Sequence, residues 1–245
     1  MSAKPSWAKV LAITLVPAIA NTAISSAVIF LAVPSETWRT GPSEAAYQVA
    51  LAQYRYGIFI WSGLAVLFAV LAILLARKEG DPISNYMRLP GETRGKLLDI
   101  LLALGLAAFG YLLLSVLFLL ALEATMPPEY MRALYRATRN APLYAKIYLI
   151  TADALAASIC EEVIWRSYTI TRMEKLMEGS CSKPIVLSAI LFGLRQGLGL
   201  HVLFCFIYGL VMGYVFARTR RLPPLMAGHW LTNVLGFTTL LWLAR

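Results

Sequence analysis

An all-α polytopic membrane bundle of about seven helices is the fold this sequence predicts, on three observations. Apolar residues make up 59% of the 245 and charged residues only 14%, a balance suited to lipid rather than water as the main solvent. Mean hydropathy is correspondingly high, +0.68. Runs of roughly the 20 apolar residues that a membrane helix needs recur along the chain. Those runs are continuous rather than alternating, which argues against a β-barrel.

The runs fall at 8–33, 56–76, 97–122, 145–168, 184–200, 202–217 and 222–243. The first follows Lys4 and Lys9, as the apolar core of a signal peptide would. It is longer than such a core and has no clear small-x-small cleavage site, so a retained helix is expected. Residues 77–96, with Gly80-Asp81-Pro82 and Leu89-Pro90-Gly91, form a polar connector rich in turn residues. The stretch 126–143 places Tyr130 and Leu134 against Arg132, Arg136 and Arg139 at helical spacing, the pattern of a short amphipathic helix on the outer surface. Gly209 and Gly213 stand four apart in an apolar helix, a face that lets helices of one bundle pack closely. No linker or internal repeat divides the chain, and a single transmembrane domain over 1–245 is expected.

The net charge of +9 raises nucleic-acid binding, but no such motif accompanies it. Topology explains the charge better. With a cytoplasmic N-terminus, inside segments hold 14 Lys and Arg and outside segments hold 8, Arg195 and Arg245 among them. The three cysteines, Cys160, Cys181 and Cys205, form no CxxC pair and are odd in number. Neither a disulfide framework nor a cysteine metal site is expected.

Charged groups inside a span cost roughly 2.5–3.5 kcal/mol each and default to functional candidates. Three places carry such groups: Cys160-Glu161-Glu162-Val163-Ile164-Trp165-Arg166, Phe192-Gly193-Leu194-Arg195-Gln196, and His229-Trp230-Leu231-Thr232-Asn233. Glu162 and Arg166 are spaced to form a helical ion pair. Glu161 points about 100° away and has no intrahelical partner. A carboxylate in an apolar surround is a candidate general base, although adjacent acids also mark membrane edges. With the fourth helix leaving the membrane near Tyr168 and the seventh entering near Leu222, Glu161 and His229 both lie roughly 10 Å deep. Asn233 shares the face of His229, and Gln196 reaches roughly 18 Å. The polar groups thus converge from three helices in the cytoplasmic half of the membrane, in a cavity expected to open to the cytoplasm.

The order Glu161-Glu162-x-x-x-Arg166, Phe192-x-x-x-Gln196, His229-x-x-x-Asn233 resembles the CAAX-protease and bacteriocin-processing family, over roughly 145–240. The resemblance implies an intramembrane endopeptidase acting on a membrane-associated or lipidated peptide. It implies that Glu161 activates a water and that His229 and Asn233 stabilise the oxyanion, with Glu162 an accessory acid paired to Arg166. One position departs from the family pattern: the residue four after Phe192 is glutamine where the family has histidine. Gln196 can hydrogen-bond a water but has no nitrogen that titrates near neutral pH. A working protease that tolerates glutamine, an engineered inactive form, and a binding or regulatory protein that has lost the chemistry all remain open. His201 follows Gly197 and Gly199 and is expected near the opposite face of the membrane, too far to stand in. A zinc site would draw on Glu161, Glu162 and His229 and is not expected, nor is any cofactor. A small transporter would show paired interrupted helices in matching halves, and none is seen.

Overall fold

The computed structural model describes residues 4–178, 182–197 and 199–244. Cys181 and Arg245, both used in the sequence reading, lie outside them. Among the described residues the chain forms nine helices and no strand. Eight are labelled here: α1 Trp7–Ala32, α2 Pro42–Lys78, α3 Thr93–Thr125, α4 Pro128–Asn140, α5 143–176, α6 Ser182–Arg195, α7 Leu200–Thr219 and α8 Pro223–Leu243. The ninth is the single turn Thr37–Thr40. Seven of the eight correspond to the expected runs, and α4 to the expected amphipathic helix.

By length and composition α1, α2, α3 and α7 can cross a membrane. The other three expected spans, α5, α6 and α8, carry the polar motifs. α6 has only 14 residues, about 21 Å of helix against a hydrocarbon layer of about 30 Å.

Side-chain size is distributed as a lipid-facing helix requires. On α2 the buried stripe is Ala65, Ala69, Ala72 and Ala76, while Leu67, Leu71 and Leu74 are exposed. Small residues inside let backbones approach, and large apolar ones face the solvent they prefer. The expected packing role of the glycines on α7 is met within the bundle. A Cβ on Gly209 would lie 3.2 Å from the Ala189 backbone, and one on Gly213 would lie 3.0 Å from Ile185.

The helices define two faces. On the N-terminal face, Lys9 pairs with Glu79 at 3.2 Å, Arg172 bonds Glu79 at 2.9 Å and Asp81 at 3.1 Å, and the Leu222 amide donates to the Tyr86 carbonyl. On the far face, α4 is tied down on three sides. Arg136 pairs with Glu44 and lies over the Tyr47 ring at 3.7 Å, Tyr135 donates to Glu123 at 2.6 Å, and Arg139 donates to the Ala244 carbonyl at 2.9 Å. Asp81 is held below the usual carboxylate range. Burial works to raise it but is outweighed by the Lys175 hydrogen bond, the charges of Arg172 and Lys175, and the Tyr86 hydroxyl.

At the centre runs α5, which continues past the expected exit at Tyr168 as far as Leu176. The charges from Arg172 onward end the apolar run without ending the helix, because Arg172 finds carboxylate partners on the neighbouring connector. Every residue of Glu162–Ile170 is buried, and this segment is π-helical. Such stretches recur at functional sites.

Candidate active site

The three polar motifs meet. Glu161 and Glu162 are adjacent on α5, so their side chains leave the helix in different directions. Glu162 points to α8, where its Oε1 lies 2.9 Å from His229 Nδ1, and its Oε2 lies 3.2 Å from Arg166 Nε. All three side chains are at most 5% exposed. The contact with Arg166 is an ion pair rather than a hydrogen bond, and Nη1 and Nη2 of Arg166 have no hydrogen-bond partner. The guanidinium instead lies over the Phe192 ring at 4.8 Å. Glu162 is therefore more than the expected partner of Arg166: with Nδ1 engaged, His229 turns Nε2 the other way.

That nitrogen lies 3.9 Å from Oε2 of Glu161. Glu161 has a partner that its own helix could not supply, Arg195 of α6, at 3.3 Å from Oε1. Arg195 was expected in an outside segment. It is instead buried, with its guanidinium over Trp61 at 4.2 Å and Trp165 at 5.9 Å. Arg166, assigned to an inside segment, is buried too. Removing one residue from each side of the 14-to-8 count leaves 13 against 7, and the direction of the bias survives.

Glu161, Gln196, His229 and Asn233 all line one cavity of about 810 Å³. The rest of its wall is mainly apolar, with Val49, Leu114, Phe118, Leu122, Leu134 and Phe237 among the lining residues. Phe192 and Tyr208 close it beside the acid, the Tyr208 ring edge-on to His229 at 5.4 Å. From Glu161 and His229 the lining runs along α8 to Leu240, along α3 to Leu122, and to Thr138 of α4. It therefore extends toward the far face, whereas the sequence reading put the opening on the side of the N-terminus. Among the described residues, no three His, Cys, Asp or Glu side chains are grouped so as to hold a metal.

The sequence reading missed two contributors. Asp153 lies two helical turns before Glu161 on α5, bonds Ser62 and lines the cavity. It is a carboxylate within a span, and the cost of burying charge in lipid was the signal that marked it. His201, set aside in the sequence reading as too distant, lines the same cavity. The chain reverses at Gly197, whose φ of +106° suits glycine. α7 then packs back on α6 so closely that a Cβ on Gly193 would lie 2.8 Å from the Val202 carbonyl oxygen.

Residues 143–235 match the family model described as Type II CAAX prenyl endopeptidase Rce1-like. The match covers less than half of the chain but takes in all three motifs, and it agrees with the resemblance read from them. No curated protein and no solved structure matches the chain.

Proposed function

We propose that this chain is an intramembrane endopeptidase that hydrolyses a peptide bond of a membrane-associated or lipidated peptide with a water activated by Glu161. The observation that carries the reading is the shared cavity wall, with Glu161 Oε2 and His229 Nε2 3.9 Å apart. A water beside the carboxylate and a substrate carbonyl beside the imidazole fit that spacing. Glu161 takes a proton from the water as its oxygen bonds the carbonyl carbon. His229, its Nδ1–H held by Glu162 and its Nε2 carrying the second proton as an imidazolium, and Asn233 donate to the oxyanion, each such donor being worth about 10²–10³ in rate. Glu161 then passes the proton to the departing amine. The apolar wall suits a lipid chain or apolar side chains, and the bilayer supplies both partner and entry medium. The Lys and Arg excess favours a cytoplasmic N-terminal face, and with that orientation the cavity is approached from the other side.

A second reading has its own support. Glu161 is ion-paired with Arg195 and the neighbouring residue is Gln196, so a binding or regulatory protein that keeps the cavity without the chemistry fits the same geometry. A cleavage assay in liposomes with a farnesylated peptide separates the two. The unmodified chain is expected to cleave and Glu161→Gln to lose about 10²–10⁴ of the rate. Cleavage by Gln196→His alone would favour the second reading, and cleavage that survives Glu161→Gln would remove Glu161 as the base.

A further inference from the structure

A second pocket, of about 320 Å³, lies against the first. Its lining is polar where the first is apolar: Asn21 and Thr22 of α1, Gln53 of α2, Asp153 of α5, and Arg195 and Gln196 at the end of α6. Thr22 and Gln53 are exposed, and Asp153 and Arg195 are buried. We propose that this pocket is an aqueous port, separate from the apolar cavity, through which the water consumed in hydrolysis reaches Glu161. The proposal rests on the hydrolase reading and deepens it.

The need for a port follows from the chemistry. A lipidated peptide seated in the apolar cavity displaces water from it, yet every turnover consumes one water. Four residues, Gln53, Trp61, Asp153 and Gln196, line both spaces, so a single layer of side chains divides them. Arg195 crosses that layer. It lines the second pocket, lies over the Trp61 ring at 4.2 Å and reaches Glu161 Oε1 at 3.3 Å.

Water also answers two costs that the catalytic groups do not explain. Asp153 is a carboxylate inside a span, bonded to the Ser62 hydroxyl, and burying it is expensive unless further polar partners reach it. The end of α6 is the other cost. That helix is only 14 residues long, so the chain reverses at Gly197 within the hydrocarbon layer. Irregular backbone at such depth is tolerated where it is buried in protein or lines a water-filled cavity, and Gly197 lines this pocket. On the opposite wall Gln53–Gly57 is π-helical, a local form frequent at functional sites. A Cβ on Gly57 would collide with Gln53 Oε1, so the glycine leaves room for the amide at the dividing wall.

The test uses the full chain in liposomes, carrying Cys160→Ser, Cys181→Ser, Cys205→Ser and Thr22→Cys. A thiol in water ionises and reacts with charged 2-sulfonatoethyl methanethiosulfonate, whereas a thiol in lipid does not. Thr22→Cys is expected to react many times faster than Leu67→Cys, placed on the exposed face of α2 in the same background. Equal rates overturn the proposal. Benzyl methanethiosulfonate then plugs the pocket at Thr22→Cys. With a farnesylated peptide as substrate, the plug is expected to lower kcat severalfold with KM unchanged, and dithiothreitol, which removes it, to restore the rate. That reversal separates a blocked port from a misfolded chain. Unchanged kcat under the plug, or a rise in KM alone, overturns the port and leaves the role of Glu161 standing. Cleavage that survives Glu161→Gln overturns Glu161 as the base instead. Should the cysteine replacements themselves abolish cleavage, Thr22→Trp in the parent chain serves as the plug and Thr22→Ser as its control. If the unmodified chain cleaves nothing, the hydrolase reading and the port's role in it fall together, and the labelling rates still decide whether the pocket holds water.

Discussion

Replacing Glu162 by glutamine separates the two tasks of that side chain. The carboxylate is fully buried between His229 Nδ1 at 2.9 Å and Arg166 Nε at 3.2 Å. Glutamine keeps an acceptor for the imidazole but removes the charge that balances Arg166. Arg166 already lacks hydrogen bonds at both terminal nitrogens, so its remaining compensation would be the Phe192 face. Breaking a buried pair by deleting one charge costs about 3–5 kcal/mol. The expected result is therefore a marked loss of stability in Glu162→Gln, with the His229 hydrogen bond retained. Cys160 and Cys205 are buried and free, so a thiol-reactive fluorophore reports melting in detergent once Cys181 is replaced by serine. Replacing Arg166 by methionine in the same background removes the orphaned charge and should restore much of the midpoint. A Glu162→Gln melting curve that overlays the parent would refute the assignment of Glu162 as the counter-charge.

Three further outcomes follow from the same geometry. Asn233→Ala is expected to reduce kcat by about 10²–10³ with little change in melting, measured by the liposome assay. Gly209→Leu forces a side chain into the 3.2 Å approach to Ala189, and the overpacking should cost about 1–3 kcal/mol in the detergent melt. Asp81, with its folded value below the ordinary one, adds stability that is fully present above the ordinary value and is lost as pH falls through the folded value. Melting midpoints should therefore drop on acidification through that range, and Asp81→Asn should flatten this part of the profile.

Where sequence was a good guide, lipid made it so. A membrane helix has to be apolar along its length, and this marked seven helices; the cost of burying charge marked the motifs that meet at the cavity. Where it fell short, the missing information was three-dimensional. Arg195 counts with the outside charges because α6 is short and its last residue sits at a reversal. Only the fold shows that the reversal lies against Glu161. His201 was placed by counting residues outward, a measure that fails once the chain doubles back at Gly197. The end of α5 was placed at Tyr168 because apolarity stops there, yet Glu79 and Asp81 on a distant connector provide the counter-charges that carry the helix on. The partner of Glu161 could not be read from its own helix for the same reason.

The way α5 is neutralised also bears on how the chain enters the bilayer. Only Glu162 and Arg166 are matched within α5 itself. Glu161 depends on Arg195 from the next helix, and Asp153 on Ser62 from one made much earlier. A lone α5 released into lipid would carry two uncompensated carboxylates, each penalised by roughly 2.5–3.5 kcal/mol. Biogenesis is therefore served by holding α5 at the translocon until α6 emerges, so that the two leave as a neutralised hairpin against helices already delivered.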